Sequence, residues 1–322
     1  MLTIQAVRAG GPEVLEAVEV ERPSPRPGQV LVRNEAIGLN FIDTYQRSGL
    51  YPMRYPAVLG GEAAGVIEAV GEGVTGFKPG DRVACNGQGG GYAEYQAVAT
   101  ARTIHLPDSV SFEVAAASLL KGMTTEFLVR RCYPLKAGET ILVHAAAGGV
   151  GTLLAQWAKA IGAVVIGTVG SAAKAALARE LGCDHVILYR EEDVAARVRE
   201  ITGGAGVPVA YDAVGKDTFE GTLASLARRG LFVSYGNASG PVPAFEPLRL
   251  SRAGSLYLTR PTMGDYTATP EEFAESASQL FAMIASGKLR VEIGQRFKLR
   301  DARLAHEALQ GRETIGATVM TP

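Results

Sequence analysis

The chain has 322 residues, 47% of them apolar and 20% charged, which suffices for about two domains with buried cores and argues against disorder. Lys and Arg number 32 against 33 Asp and Glu, a net charge of −1, so the basic excess of a phosphate-tracking nucleic-acid binder is absent. Cys85, Cys132 and Cys183 are too scattered for a disulfide framework or a cysteine zinc site, and no apolar run reaches the roughly 18 residues of a membrane span.

Taken in chain order, the first hundred residues read as short strands. Thr3–Arg8 and Val14–Val20 alternate apolar and polar around the turn Gly10-Gly11-Pro12. The N-terminus has no apolar signal core, and a cytoplasmic location is expected. Three prolines exclude Arg22–Gly28 from any central strand. A strand at Gln29–Ile37 and a short helix around Asn40–Ser48 follow, then strands at Gly65–Val70, Arg82–Cys85 and Tyr92–Ala99. That spacing suggests a partly open β-barrel.

Near residue 108 the pattern changes. Ser109 or Ser111 can cap a helix that starts near Phe112 and runs towards Val129. Strands are expected at Thr140–Ala145, Val164–Thr168, His185–Leu188, Pro208–Tyr211, Leu231–Ser234 and Ser255–Thr259. Helices are expected at Gly149–Ile161, Ser171–Leu181, Asp193–Thr202 and Asp217–Arg228. This alternation predicts a Rossmann-type doubly wound parallel sheet of six strands. A helix at Glu271–Ser286, a strand near Glu292–Phe297, a helix at Ala302–Gln310 and a strand at Ala317–Met320 fit neither pattern and are assigned back to the first domain. The expected domains are therefore 1–122 with 261–322, and 123–260.

The sharpest motif is Ala146-x-Gly148-x-x-Gly151, where an apolar strand runs into a helix. It is the dinucleotide fingerprint with alanine first. The chain turns sharply, its backbone can lie against a pyrophosphate, and the helix N-terminus offers N–H groups and a positive dipole end. Ala147, Gly148, Gly149, Val150 and Gly151 are the candidate phosphate contacts. An NAD site offers a carboxylate about 20 residues further on. Here the segment is Gly167-Thr168-Val169-Gly170-Ser171-Ala172-Ala173-Lys174, with no acid until Glu180. Thr168, Gly170, Ser171 and Lys174 suit a 2′-phosphate instead, so NADPH is expected.

At this point the chain resembles the medium-chain dehydrogenase/reductase superfamily, and most closely its zinc-free quinone oxidoreductase (zeta-crystallin-like) branch. The likeness covers essentially the whole chain. Its markers are Gly38-Leu39-Asn40-Phe41-Ile42-Asp43-Thr44-Tyr45, Gly60-Gly61-Glu62-Ala63-Ala64-Gly65-Val66, Gly76-x-x-x-Gly80-Asp81-Arg82-Val83, His144–Gly151, Tyr211-Asp212-Ala213-Val214-Gly215 and Tyr235-Gly236-Asn237-Ala238-Ser239-Gly240. The resemblance implies a GroES-like barrel as the catalytic domain. In the zinc enzymes of the superfamily a Cys ligand stands at the position of Asn40 and a His ligand at that of Gly61. An amide is a poor zinc ligand and glycine has no side chain. The four-cysteine lobe is missing too, and His105, His144, His185 and His306, scattered in sequence, read as packing or surface residues. No metal is expected.

Without a Lewis acid, the implied chemistry is hydride transfer to an acceptor that is already electrophilic, with the protein supplying position, shelter from water and oxyanion or proton support. The resemblance places Asn40, Tyr45 and Tyr51 beside the reacting groups. It makes Asn40, Lys121, Thr125, Tyr189, Val214, Gly236, Asn237, Arg260 and Arg312 further cofactor contacts. Asp43 reads as a partner of local backbone donors, and Cys132 as an incidental thiol. The apolar strand Ser255–Thr259 would be an exposed sheet edge, and pairing with a second copy would give a homodimer. The expected activity is an NADPH-dependent quinone reductase. Reduction of α,β-unsaturated carbonyls needs the same fold and remains an alternative. So does a non-enzymatic role, since some relatives serve as lens crystallins or bind RNA; the near-neutral charge gives the latter no support.

Overall fold

The computed structural model describes residues 1–87 and 89–322. They divide into a first unit of Met1–Met123, Thr267–Gly287 and Val291–Pro322 and a second of Thr124–Tyr266 with Lys288–Arg290. The return to the first unit thus falls at 267, not at the expected 261, for local reasons. Tyr266 stacks on Phe127 with ring centroids 4.4 Å apart, and Arg131 donates to the Tyr266 carbonyl. Residues 288–290 stay with the second unit because the Gln156 amide both donates to the Arg290 carbonyl and accepts from its N–H.

The chain opens with β1 (Leu2–Ala6) and β2 (Leu15–Glu19), then β3 (Gln29–Leu39), helix α1 (Phe41–Ser48) and β4 (Ala57–Val58). Next come β5 (Glu62–Val70), β6 (Arg82–Asn86), β7 (Tyr95–Ala99), β8 (Thr103–His105) and α2 (Phe112–Phe127). Strands β4 and β8 are too short to show a period in sequence. The eleven residues of β3 organise the barrel. Along one edge it pairs with β5; along the other its first half pairs with β7, leaving its last residues for a strand from the chain's far end. Val30, Val32, Ile67, Val83, Cys85 and Val98 fill the interior. Helix α1 starts at Asn40, whose N–H donates to the Asp43 carboxylate at 2.9 Å, and stops at Gly49 in the left-handed region (φ 82°), a conformation glycine adopts without steric cost. The Ser111 hydroxyl, and not Ser109, accepts from an N–H of the first turn of α2, that of Val114. The α-helical part of α2 ends at Phe127, short of Val129, and residues 128–132 widen into a π turn.

The second unit is β9 (Thr140–Val143), α3 (Gly149–Ile161), β10 (Val164–Val169), α4 (Ala172–Glu180), β11 (His185–Leu188), α5 (Val194–Ile201), β12 (Val207–Asp212), α6 (Phe219–Ser225), β13 (Leu226–Ser234), α7 (Leu248–Arg252), β14 (Tyr257–Thr259) and α8 (Met263–Tyr266). The six strands are parallel in the order β11-β10-β9-β12-β13-β14, so the strand order reverses between β9 and β12, where such sheets bind their ligands. Helix α6 stops at Ser225 where the sequence suggested helix to Arg228. Leu226 pairs with Val207, Arg229 adopts φ 63°, and a bulge carries the chain into the sheet. The edge strand β14 is shorter than expected because Ser255 takes φ 56° and Leu256 precedes the ladder.

The chain then adds α9 (Pro270–Ala285), β15 (Ile293–Lys298), α10 (Ala302–Gln310) and β16 (Ala317–Thr321), the last pairing with β3 to extend the barrel sheet. Among the described residues no helix is long and apolar enough to cross a membrane.

Candidate active site

The fingerprint builds a side-chain-free cradle at the C-terminal end of β9. Ala145 turns the chain with φ 52°, and Gly148 starts α3 with no side chain capping the first-turn N–H groups. A Cβ on Gly151 would stand 2.2 Å from the Ala145 carbonyl oxygen and 2.8 Å from Ala146 Cα, so only glycine lets α3 approach β9 this closely. Ala147 is buried at the turn. The Gly236 backbone closes on Ala213 in the same way: a Cβ there would stand 2.4 Å from the Ala213 carbonyl oxygen. Ala238 and Ser239 donate to the carbonyls of Ala213 and Val214. The turns after β12 and β13 are thereby locked together, bringing Val214, Gly236 and Asn237 side by side.

At the end of β10, Ser171 caps α4 by accepting from the Lys174 N–H at 3.4 Å. A Cβ on Gly170 would meet the Tyr189 hydroxyl at 2.6 Å, so that ring lies over Gly170 while staying 38% exposed. Thr168 is buried and tied to His144. His144 Nδ1 and Thr168 Oγ1 lie 3.0 Å apart, His144 Nε2 and Thr222 Oγ1 2.9 Å, and Thr222 donates to Asp212 at 3.1 Å. The Thr218 carbonyl lies 2.8 Å from the same hydroxyl, and with the Thr222 proton on either acceptor, Nε2–H donates to Thr222 and Nδ1 accepts from Thr168. Burial holds His144 below the usual histidine range, hence neutral. Asp212 also accepts from the N–H groups of Val214 and Gly215, so one buried network braces the ends of β9, β10 and β12. The residues here fit a dinucleotide: backbone N–H groups and a helix N-terminus for its phosphates, and side-chain-free turns for its bulk.

The first unit carries the other cluster. Asn40 is buried, and its Nδ2 donates to Glu62 Oε2 at 2.8 Å. The rings of Tyr45 and Tyr51 meet edge-on at 5.3 Å, and the Tyr51 N–H donates to the Tyr45 carbonyl. Lys121 is buried in α2 and its ammonium reaches Glu62 Oε2 at 3.0 Å; Thr125, also buried, lies one turn on in the second unit. Arg260 is exposed and donates to the Pro261 carbonyl, and Arg312 is exposed at a left-handed turn (φ 59°) after α10, in the first unit.

Two sets of buried groups were missed in sequence. Glu62 is one. The other runs through Arg47, His306, Tyr92 and Asp43. Arg47 Nη1 has only protons to offer, so His306 Nδ1 accepts at 2.9 Å; Nε2–H then donates to the Tyr92 oxygen at 3.0 Å, and the Tyr92 hydroxyl to Asp43 Oδ2 at 2.9 Å. Burial pushes Asp43 up to about 7, and burial with the neighbouring Arg47 pushes His306 down to about 3. Asp43 thus serves the Asn40 N–H, as expected, but serves this chain as well. The available signal was a charged residue inside apolar runs, GGEAAGVI and AAASLLKGMTT, since buried charges need partners. Among the described residues no three His, Cys, Asp or Glu side chains group as metal ligands do. Burial raises the Cys85 and Cys183 thiols to about 12 and raises Cys132 too, so none is an activated nucleophile.

The alcohol dehydrogenase GroES-like domain family matches residues 26–108, and the zinc-binding dehydrogenase family matches residues 149–282. A quinone oxidoreductase of Pseudomonas aeruginosa is 54% identical over 99% of both chains. The chain belongs to the quinone oxidoreductases of the medium-chain dehydrogenase/reductase superfamily. Within this family, the quinone oxidoreductase of Escherichia coli solved in complex with NADPH superposes with a TM-score of 0.98 at 48% identity, covering 100% of each chain. A 2-haloacrylate reductase of Burkholderia is 42% identical over 98% of this chain and 97% of its own.

Proposed function

We propose that this chain is an NADPH-dependent quinone reductase. The observation that carries the reading is the cradle at the head of α3, where no side chain caps the first-turn N–H groups and they are left for a pyrophosphate, in a chain aligned over 99% of its length with a quinone oxidoreductase. When bound, the dinucleotide supplies the hydride.

The chain's own residues do the rest. Ala147, Gly148, Gly149, Val150 and Gly151 would hold the pyrophosphate at the positive end of α3. Ser171 and Lys174, with Thr168 and Gly170 beneath, would take the 2′-phosphate, a site with no carboxylate before Glu180 to repel it. Tyr189 would cover the adenine side, and the locked turns at Val214, Gly236 and Asn237 would line the path towards the nicotinamide. Asn40, Lys121 and Thr125 would orient that end, while Tyr45, packed against Tyr51, would hydrogen-bond the acceptor oxygen. Arg260 and Arg312 are further candidate contacts to the cofactor's phosphates. A quinone takes two electrons with the hydride and one proton more, which solvent or a protein group must deliver.

A second reading, reduction of α,β-unsaturated acceptors, is favoured by the relative named 2-haloacrylate reductase. The reading extends to a homodimer in the cytoplasm. β14 ends the sheet with Tyr257 60% exposed, and its free edge suits pairing with the same strand of a second copy across a two-fold axis. The deciding experiment follows NADPH consumption with a simple quinone in the presence of chelator, with NADH and an enone run alongside. Chelator-resistant, NADPH-preferring quinone turnover is expected. Turnover on the enone alone would move the function to alkene reduction, and no turnover on either would overturn the enzyme reading.

A further inference from the structure

Three segments converge on one carboxylate. Glu62, the first residue of β5, is fully buried. An unpartnered carboxylate in that position would be strongly disfavoured, but both oxygens of Glu62 have partners. Its Oε1 accepts from the Leu120 N–H at 2.7 Å; its Oε2 accepts from Asn40 Nδ2 at 2.8 Å and from Lys121 Nζ at 3.0 Å. Gly38, paired with Glu62 in the ladder, clears the way: a Cβ there would stand 2.3 Å from Oε2 and 2.1 Å from the Ala116 carbonyl oxygen. The neighbouring Gly61 adds no side chain. Two of the residues assigned to the nicotinamide end, Asn40 at α1's N-terminus and Lys121 on α2, therefore hang from a single oxygen atom.

This arrangement restricts both of them. The Asn40 amide cannot flip, because its Oδ1 would then oppose Oε2, acceptor against acceptor. The Lys121 ammonium is held in its buried place by the carboxylate lying against it. We propose that Glu62 is a positioning residue of the reduction: it fixes the amide polarity of Asn40 and the place of the Lys121 ammonium, and touches neither reactant. The proposal rests on the reductase reading above.

Glu62→Gln is the discriminating variant. Its amide oxygen can still accept from the Leu120 N–H, but its NH2 would face the donors of Asn40 and Lys121, so the clamp fails at those two residues alone. We expect kcat on the quinone to fall about tenfold or more, as small misplacements of reacting groups do. A primary isotope effect with deuterated NADPH should grow as hydride transfer becomes limiting, while the NADPH Kd, from quenching of Trp157 fluorescence or calorimetry, moves less than about threefold. Wild-type kcat would overturn the proposal, and so would loss of NADPH affinity and thermal stability in step with activity, the signature of a mere brace. Adding Asn40→Asp restores donor–acceptor matching with the polarity reversed. Positioning predicts that stability returns and kcat does not; recovery of both would overturn it. If Glu62→Gln alone does not fold, the double variant carries the test through the same two readouts. Absence of quinone and enone turnover by the unaltered enzyme would instead overturn the reductase reading and this proposal with it.

Discussion

Asp43 and His306 stand two hydrogen bonds apart, joined through Tyr92, and they link stability to pH in opposite senses. The Asp43 carboxyl is raised from 3.8 to about 7. The folded chain therefore holds a proton that the unfolded chain has lost, and this contribution, full below pH 3.8, disappears as pH rises through about 7. His306 is lowered from 6.5 to about 3, so its contribution is present above pH 6.5 and disappears as pH falls through about 3. Between 3.8 and 6.5 the two slopes oppose. A His306→Gln variant, whose amide can still accept from Arg47 and donate to Tyr92, removes only the rising slope. Its Tm should fall more steeply than the wild type's as pH climbs from 4 towards 7; parallel Tm–pH curves would contradict the assignment. At the proposed cofactor phosphate, Lys174→Ala should raise the KM for NADPH about tenfold or more while leaving that for NADH within a factor of about two. Equal changes, measured by initial rates with each nucleotide, would remove Lys174 from the 2′-phosphate site. The cap of α4 at Ser171 was legible in sequence because it follows a recognisable strand at a set distance. Glu62 was not, because a lone Glu cannot reveal that Leu120, Lys121 and Asn40 come to meet it.

Two glycines separate packing from conformation at the level of elements. Gly151 sits where α3 meets β9, and a Cβ there would press on backbone atoms of Ala145 and Ala146, which cannot rotate away. Gly151→Ala should destabilise the second unit by about 1–3 kcal/mol and weaken NADPH binding more than about tenfold by calorimetry. Gly221, inside α6, has open space where a Cβ would stand, with no atom within 4 Å, so Gly221→Ala should be neutral or stabilising by up to about 1 kcal/mol. Equal losses from both would mean that the close approach of α3 to β9 is not what Gly151 serves. The parallel strands were readable because burial on both faces makes them near-continuous apolar runs. The α6–β13 boundary was not: Leu226–Arg229 reads as the end of a helix, and only pairing with Val207 and the left-handed Arg229 turn it into strand. Helices α7 and α8, at five and four residues, are too short to carry a period.

For the whole molecule, the edge strand β14 yields a prediction about mass. Light scattering on the eluting protein should give twice 33.8 kDa, and Tyr257→Asp should shift it towards the single-chain mass with the circular dichroism spectrum unchanged, since a charge on an edge strand opposes pairing. A single-chain mass for the unaltered protein would refute the dimer. Sequence by itself determined the Rossmann half of the molecule, the glycine cradle, the acid-free turn after β10 and the family, because these depend on periodicity and on residue types at short, set spacings. The tertiary structure decided what long-range contacts control. It let β3 share one edge between β7 and β16, drew 261–266 and 288–290 to the second unit, and gathered Glu62, Asn40 and Lys121 at one oxygen. Residues brought together from 22 and 59 positions away leave no local pattern; each charge is legible alone, but its partner is chosen only when the sheet and α2 close over it.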